Sequence, residues 1–427
     1  MINSVILFKI LRPRQLTANM IKDTLYIFAG RISNAVFLLL LTLVVSRHLG
    51  PALFGVFSFL TTVVITASGF ANLGLDTWMV REITKDPKQG RYYLSNVLGL
   101  KTGTSLVTVS LVFLIFQSTN LSESTRHLLW VISASVLFNS LSQTLWHYGN
   151  CFREFIYHSA LWASSNVIKS VLGIVLVLLY QELEPLVWGV VIAEAVTLVI
   201  SFYVIRRRFG EFVPVFNLLV WKEFFSRSSL IALGMIFSVL YFRLDIVMLQ
   251  MMTEEKTVGW YSAAYRLFEV TLILPHSFML VLFPTLVEEY HSDRLSFREN
   301  FQKAVGVFSV IGGGIAVSLW FFSEEIIVLI YGEKFTPSVT LLSILSGAIF
   351  LFFMNFLLSN VLITSGREKI NTWNLIIATI LNVLLNLVLI PKYNAEGAAW
   401  ATVFCEGVLV AAMSLQIRKV VRLGRKD

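Results

Sequence analysis

Twelve apolar stretches fill almost the whole chain, and each is long enough to cross a lipid bilayer. A helix of ~20 apolar residues spans the ~30 Å hydrocarbon core. The pattern therefore predicts an all-α integral membrane protein with twelve transmembrane helices. The predicted spans are residues 25–46, 53–77, 96–117, 127–148, 158–180, 186–205, 227–252, 257–287, 301–323, 338–364, 371–391 and 396–417.

Lysine and arginine concentrate in every second connection between these spans. Of the 34 basic residues, 24 fall on the side that holds both termini, 5 fall on the opposite side and 5 lie within the spans. Basic connections stay on the cytoplasmic side of a membrane. We therefore expect both termini in the cytoplasm and, in a bacterium, a multi-pass protein of the inner (cytoplasmic) membrane.

Composition leaves no room for a soluble catalytic domain. The 427 residues are 56% hydrophobic and 14% charged, whereas soluble proteins carry about 25% charged residues. The net charge of +8 follows from the basic connections, so it does not indicate a nucleic-acid partner. Cys151 and Cys405 form neither a disulfide framework nor a metal-ligand spacing. The sequence predicts a transporter with no cofactor, not an enzyme.

The connections divide the chain into two bundles of six spans. A basic segment rich in aromatic residues, at positions 206–226, is the longest connection and is typical of a cytoplasmic linker. The predicted organisation is an amphipathic basic cytoplasmic arm (1–24), an N-terminal six-helix bundle (25–205), the linker (206–226), a C-terminal six-helix bundle (227–417) and a basic cytoplasmic tail (418–427).

The two halves also resemble each other in sequence. Ala193-Glu194 recurs 212 positions later as Cys405-Glu406, and Arg31 corresponds to Arg243 at the same offset. The second spans correspond around Gly55 and Gly259. Transporters are often built from such repeats. The alternative is that the matches arise by chance, because few residue types make up apolar segments. For the glycines, the alternative is that they only allow close packing of helices.

Seven short motifs follow one another along the chain. They are Leu49-Gly50-Pro51 with Phe54-Gly55, Asn72-Leu73-Gly74-Leu75, Arg243-Leu244-Asp245, Val258-Gly259-Trp260-Tyr261, Leu282-Phe283-Pro284, Tyr331-Gly332 with Phe335, and Glu396-Gly397-Ala398-Ala399-Trp400. Taken in this order, they resemble the polysaccharide (O-antigen or exopolysaccharide) repeat-unit flippases, whose superfamily also holds multidrug extruders and the lipid II flippase. The resemblance implies two bundles around a central cavity. It also implies movement of an undecaprenyl-pyrophosphate-linked oligosaccharide to the outer leaflet, for lipopolysaccharide or another surface polysaccharide. A polysaccharide polymerase and chain-length proteins would be partners, besides membrane lipid.

Cations inside the spans are the candidate ligands for the pyrophosphate. A charge in hydrocarbon is costly unless it faces a wet cavity or a partner, and guanidinium groups hold phosphate in a bidentate way. We predict that Arg31, Lys169, Arg243 and Arg266 line the cavity, with Arg31 and Arg243 as successive resting places. The alternative for Arg31, and for Lys101, is that the side chain extends to the nearby membrane surface.

The acidic residues inside the spans have two open interpretations, coupling to Na⁺ or H⁺ and structural pairing. They are Glu194, Asp245, Glu269 and Glu406. Glu269 follows Arg266 by three residues, so the two can pair on one helix face. Pro275 is predicted to kink span eight and to serve as a gate element.

Three other functions remain as alternatives. A cation-coupled multidrug extruder of the same fold would favour acidic cavity residues, whereas the first span carries Arg31 and no carboxylate. A lipid II flippase would use similar arginines. A membrane-embedded glycosyltransferase or polymerase would need a large extramembrane loop, and the predicted outward loops are short.

Overall fold

The computed structural model describes the backbone over residues 18–422. It leaves out the side chains at positions 18–25, 27, 29, 31, 219, 226–231 and 419–422. The predicted basic arm and basic tail therefore lie mostly outside the described residues. Within them the chain folds into α-helices and two short 3₁₀ turns, Pro87–Gln89 and Glu333–Phe335, which confirms the all-α prediction.

Thirteen α-helices follow one another over the described residues. They are α1 (Ala18–Asn72), α2 (Leu75–Lys85), α3 (Gly90–Gln117), α4 (Glu123–Cys151), α5 (Phe155–Tyr180), α6 (Leu183–Phe209), α7 (Leu218–Met252), α8 (Glu255–Thr271), α9 (Ile273–Ser292), α10 (Arg294–Phe321), α11 (Ser323–Tyr331), α12 (Ser338–Thr364) and α13 (Glu368–Arg422).

Two of the helices each cross the membrane twice. Ten helical segments of the described chain are long and apolar enough to span a bilayer. Gly50 breaks α1 with a φ of 76°, and Asn394 breaks α13 with a φ of 50°. Pro51 directly follows the first break, and Pro391 lies three residues before the second. Proline cannot donate the backbone hydrogen bond that would continue a helix. The ten segments thus give the twelve predicted crossings.

Span eight is also interrupted, between α8 and α9. The break falls at Leu272, three residues before Pro275. Proline lacks the N–H that would bond to the carbonyl four residues earlier, so the interruption precedes the proline itself. Leu272 keeps near-helical dihedral angles, with φ −67° and ψ −15°, and Pro275 is buried. The kink at Pro275 and its role as a gate element stay predictions.

The connection between the two bundles is shorter than the predicted linker, because α6 continues to Phe209 and α7 begins at Leu218. The intervening residues 210–217 run along α3. Val215 donates its N–H to the Ser95 carbonyl at 2.9 Å. A side chain on Gly99 would overlap the Val215 carbonyl oxygen, so glycine is what permits this close approach.

The bundle has two chemically different ends. We call the end that carries the connections 86–89, 152–154 and 210–217 the basic end, and the opposite end, where Gly50 and Asn394 lie, the far end. At the far end the halves close on each other through two matching contacts. A Cβ on Gly55 would overlap the Glu255 carbonyl oxygen, and a Cβ on Gly259 would overlap the Pro51 carbonyl oxygen.

Aromatic and polar contacts complete this far-end closure. Phe54 packs against Tyr331 and Phe335, with ring centroids 6.2 and 5.8 Å apart. Arg47 donates from Nε to the Ile330 carbonyl at 3.0 Å and from Nη2 to the Leu329 carbonyl. The halves are therefore joined at the far end mainly by backbone packing and neutral groups.

Replacing Gly259 by alanine should open the far end. The new methyl group would collide with the Pro51 backbone, whereas alanine is otherwise the better helix former. Spin labels on the exposed loop residues Asn120 and Glu333 should report a longer distance in the variant than in the wild type.

Gly314→Ala is the matched control, because nothing lies within 4 Å of a Cβ at that position. It should leave the label distance unchanged. An unchanged distance in Gly259→Ala as well would show that the glycine contact does not hold the far end closed.

Candidate functional site

A large polar cavity lies between the two halves, toward the basic end. Its volume is about 700 Å³, within the range of about 300–1,000 Å³ typical of ligand sites. The first half contributes Asn139, Gln143, Asn150, Phe155, Trp162 and Lys169, among others, and the second contributes Glu269, Leu272, Ile273 and His276. Asn150 and Phe155 flank the connection 152–154, so the cavity reaches the basic end.

A smaller cavity of about 190 Å³ continues the large one deeper between the halves. Asn34, Glu269 and Ile273 line both spaces, so the two form one continuous site. The smaller space holds Arg243 and Arg266. The structure therefore brings two of the four predicted cations together.

The deep cavity contains two arginines that share one carboxylate. Arg243 Nη2 lies 2.7 Å from Glu269 Oε1, and Arg266 Nη1 lies 2.9 Å from Glu269 Oε2. The three side chains keep 17–18% of their surface exposed. We call this group the arginine triad. It carries one net positive charge, and its guanidinium groups have further N–H donors for an anion.

The triad was only partly predictable. The pair of Arg266 with Glu269 follows from their spacing on α8, and it is present. Sequence reasoning left Arg243 without a partner, because its partner Glu269 lies on a different helix. A contact between helices leaves no spacing signal in the sequence.

Lys169 lines the large cavity but is already paired. Its Nζ lies 2.9 Å from Glu194 Oε1, and Asn139 donates to the same oxygen at 3.1 Å. The Lys169 side chain is 22% exposed. The lysine adds no net charge to the cavity, so the arginine triad is the stronger anion site.

Arg31 lies in α1, but its side chain is outside the described residues, so its role stays a prediction. Asn34, one helical turn further along α1, lines both cavities. Residues three apart share a helix face. The structure thus places Asn34 at the site.

Asp245 and Glu406 lie outside both cavities, buried within the second half. Asp245 accepts hydrogen bonds from Tyr261 at 2.9 Å, Thr402 at 2.9 Å and Asn386 at 2.7 Å. Glu406 accepts from Tyr241 at 2.8 Å and from Asn355 at 2.9 Å. Neither carboxylate has an ion pair within the part of the chain that the structure describes.

A cluster of polar side chains surrounds Asp245. Asn386 Oδ1 is buried and has no hydrogen-bond partner among the described residues. The Asn382 amide oxygen and the Thr402 hydroxyl lie in the same cluster. Carboxylate, amide and hydroxyl oxygens are hard donors that suit hard cations. A proton on Asp245 would neutralise the same buried charge.

Glu194 and Glu406 occupy matching places in the two halves. Asn139 of α4 donates to Glu194 of α6, and Asn355 of α12 donates to Glu406 of α13. The second donor differs, since Lys169 serves the first carboxylate and Tyr241 serves the second. Both glutamates tie neighbouring helices together, which is the structural interpretation of these acids.

Lys101 does not extend to the membrane surface, so that expectation is wrong. Its side chain is fully buried, and Nζ lies 2.8 Å from Asp76 Oδ2 and 2.9 Å from the Ser140 carbonyl oxygen. Thr144 donates to the other Asp76 oxygen at 2.7 Å. The reason is that a buried partner satisfies the ammonium group more fully than a partial approach to water.

One group of cavity residues escaped sequence reasoning, although a signal was present. Asn139, Gln143 and Asn150 follow at helical spacing along α4 and bring three amides to the cavity. Trp162 on α5 faces the same space. In the sequence, such a pattern is equally typical of hydrogen bonds between helices. Only the structure shows that the three amides line the same cavity.

Fold and site together define a multi-pass membrane transporter with a cavity between two bundles. The chain belongs to the polysaccharide biosynthesis protein family, whose model matches residues 20–289. The MatE family model matches residues 231–388. These matches confirm the predicted family, and the protein is a transporter and not an enzyme.

Curated relatives agree with this assignment. The capsular polysaccharide biosynthesis protein CapF of Staphylococcus aureus is 22% identical over 89% of this chain and 94% of its own length. The uncharacterized membrane protein MJ1068 of Methanocaldococcus jannaschii is 27% identical over 56% of this chain, and the match covers 48% of that protein. The probable low-salt glycan biosynthesis flippase Agl15 of Haloferax volcanii is 25% identical over 42% of this chain and 39% of its own length.

Solved structures share the whole fold. The lipid II flippase MurJ in an inward closed conformation has a TM-score of 0.73 and 16% identity, over 93% of this chain and 89% of that chain. An inward-facing multidrug resistance MATE transporter of the MOP superfamily has a TM-score of 0.70 and 15% identity, over 93% and 98% of the two chains. The predicted twelve-helix, two-bundle fold is thereby confirmed.

Breaking the buried pair of Lys101 and Asp76 should strongly destabilise the first half. Lys101→Met would leave the Asp76 carboxylate buried and unpaired, which costs about 3–5 kcal/mol. The thermal unfolding midpoint of the purified protein in detergent should fall markedly. The double variant Lys101→Met with Asp76→Asn should recover most of the loss, because no buried charge remains.

Lys256→Met is the control, because Lys256 and its partner Glu254 are 52% and 73% exposed. Exposed pairs contribute ~1 kcal/mol or less, so the midpoint should hardly move. A Lys101→Met midpoint as high as that of the control would refute a structural role for the buried pair.

Proposed function

We propose that this protein is a flippase that moves a polyprenyl-pyrophosphate-linked oligosaccharide, the repeat unit of a surface polysaccharide, from the inner to the outer leaflet. The basic end would face the cytoplasm under the positive-inside rule. The described conformation, closed at the far end with a cavity that reaches the basic end, would then receive substrate from the inner side. Alternating access of the two halves would complete the cycle.

The arginine triad is the observation that carries this proposal. A pyrophosphate brings at least one negative charge per phosphate, and the triad offers an excess of one positive charge within a partly exposed cavity. Hydrogen bonds between charged groups are stronger than neutral ones, and guanidinium geometry suits phosphate oxygens. The anionic part of the substrate would therefore displace Glu269 from one or both arginines.

An apolar groove beside the site suits a polyprenyl tail. Its volume is about 300 Å³, and α1, α9 and α10 line it through Phe28, Leu274, Val281, Val307 and Phe308, among others. Leu274 follows Ile273, which lines both parts of the polar site. The groove therefore adjoins the polar site at the start of α9, where a lipid joined to a pyrophosphate could enter it.

The names of two relatives agree with the proposal, since CapF is a capsular polysaccharide biosynthesis protein and Agl15 a probable glycan biosynthesis flippase. The fold alone is equally compatible with a multidrug extruder or a lipid II flippase. The charge of the cavity distinguishes the proposed flippase from a multidrug extruder. Glu269, the acid that lines the described cavity, is already neutralised by two arginines, which leaves no acidic attraction for an organic cation.

Arg243→Gln should reduce transport about 10- to 100-fold. A hydrogen bond between charged groups contributes about 1.5–3 kcal/mol, and glutamine keeps a similar length without the charge. The test restores the variant to a host strain lacking the gene and measures surface polysaccharide together with the lipid-linked precursor on the inner leaflet. We expect little polysaccharide and accumulated precursor.

Arg298→Gln is the control, because Arg298 lies exposed at the basic end of α10 and outside both cavities. It should restore polysaccharide as the wild type does. Full restoration by Arg243→Gln would refute the anion site. Sensitivity to cationic drugs in the deletion strain, with normal polysaccharide, would indicate the extruder, and loss of lipid II transport would indicate the third candidate.

We further propose that Asp245 couples transport to Na⁺ or H⁺. Its burial without an ion pair and the unpartnered Asn386 oxygen beside it support a role for a bound cation or proton. In Asp245→Asn, transport should no longer respond to the ion gradient. The gradient-driven rate should fall by at least about fivefold, the lower end of the range for coupled sites. The measurement is transport in proteoliposomes with either Na⁺ or a pH gradient imposed.

Glu299→Gln serves as the control, since the Glu299 side chain is 73% exposed and lies on α10. This variant should respond to both gradients as the wild type does. If Asp245→Asn kept the full response to whichever gradient drives the wild type, Asp245 would have a structural role only.

A further inference from the structure

The site has two chemically different walls. The deep wall, formed by α7 and α8, holds the arginine triad and its excess positive charge. The opposite wall, formed by α4 and α5, holds Asn139, Gln143, Asn150, Ser159 and Trp162. We call it the amide wall. Its charged member, Lys169, is neutralised by Glu194 at 2.9 Å.

We propose that the amide wall is the surface that recognises the sugar part of the substrate, while the arginine triad holds the pyrophosphate. This inference rests on the proposed function and goes further, because it assigns the glycan to one half of the protein. The pyrophosphate lies between the lipid and the first sugar in such a molecule. A sugar-binding wall should therefore adjoin the triad.

The geometry meets that requirement. Asn34 and Glu269 line both the deep cavity and the large one, so the triad and the amide wall border adjoining spaces. The apolar groove also adjoins the polar site, at the start of α9, where Leu274 follows Ile273.

The hydrogen-bonding groups of the wall match sugar hydroxyls. An amide group both donates and accepts, as a hydroxyl does. Gln143 and Asn139 form one pair, with Gln143 Nε2 2.6 Å from Asn139 Oδ1. Asn150 Oδ1 and Ser159 Oγ are buried and have no hydrogen-bond partner among the described residues. Buried oxygens without a partner are costly, and a ligand that donates hydroxyl hydrogens would satisfy them.

Trp162 supplies the apolar surface that a sugar ring also needs. Its side chain is partly exposed in the cavity and stands edge-on to His158, with ring centroids 6.3 Å apart. Trp146, which also lines the cavity, is occupied structurally because its Nε1 donates to Ser201 at 2.9 Å. Trp162 is therefore the aromatic face against which the C–H groups of a sugar would pack.

The test compares two probes on the full-length protein in nanodiscs. One is geranylgeranyl diphosphate, and the other is the same molecule carrying one N-acetylglucosamine on its terminal phosphate. Wild-type protein should bind the sugar-linked probe more tightly. Trp162→Ala and Gln143→Leu should each weaken the sugar-linked probe by about tenfold, or ~1.4 kcal/mol, and leave the plain diphosphate unchanged. Trp162→Phe should keep most of the preference, because a flat apolar face remains.

Two control variants match these changes outside the cavity. Trp188→Ala removes a tryptophan that is 47% exposed on α6. Gln416→Leu removes a glutamine that, like Gln143, is paired with an asparagine, here Asn374 at 2.8 Å. Both controls should bind the two probes as the wild type does.

The outcomes separate this inference from the proposed function. Wild-type protein that binds neither probe would overturn both. Equal binding of the two probes by the wild type, or equal losses for both probes in Trp162→Ala and Gln143→Leu, would overturn the amide wall and leave the flippase proposal standing. A loss for the sugar-linked probe alone, absent from the controls, would establish the wall as the glycan site.

Discussion

A charge inside the hydrocarbon must find a partner, and this constraint organises the whole structure. Lys101 and Asp76 satisfy each other within the first half, as do Lys169 and Glu194. In the second half one carboxylate, Glu269, serves two arginines. Each of the other described ion pairs within the spans joins one positive and one negative charge. The triad has two positive charges and one negative charge, so it gives the cavity its excess positive charge. The same rule that stabilises the bundles therefore also marks the site.

The repeat explains why the two halves share a scaffold and differ in chemistry. An asparagine donates to a buried glutamate at matching places, from Asn139 to Glu194 and from Asn355 to Glu406. The remaining donor is a lysine in one half and the Tyr241 hydroxyl in the other. Lys169 compensates the negative charge of Glu194 beside the cavity. Glu406 lies in the core of the second half and has hydrogen bonds but no ion pair among the described residues. The two halves thus share the helix framework and differ in the residue that contacts each glutamate, Lys169 in one half and Tyr241 in the other.

Sequence reasoning predicted the spans and the family, but it could not predict which groups pair with the buried charges, and its placement of Lys101 near the membrane surface was wrong. Hydrophobic length fixes a crossing, and the prolines beside Gly50 and Leu272 indicate the breaks. The pair of Arg266 with Glu269 was visible because it lies within one helix. The partner of Arg243 and the burial of Lys101 depend on how helices pack against one another, which no local pattern encodes. The amide wall was missed for the same reason.

The distribution of contacts also bears on how such a protein can move. Among the described residues, each buried ion pair lies within one half or the other, and those between helices link helices of the same half. At the far end the halves meet through glycine packing at Gly55 and Gly259 and through Arg47 hydrogen bonds to carbonyl groups. Separating these surfaces would break the glycine packing, the Arg47 hydrogen bonds and the hydrogen bond from Thr125 to Glu255. No ion pair among the described residues crosses the far end, and the three members of the triad all lie in the second half. A rocking motion that opens the far end would therefore carry the triad along as part of one half.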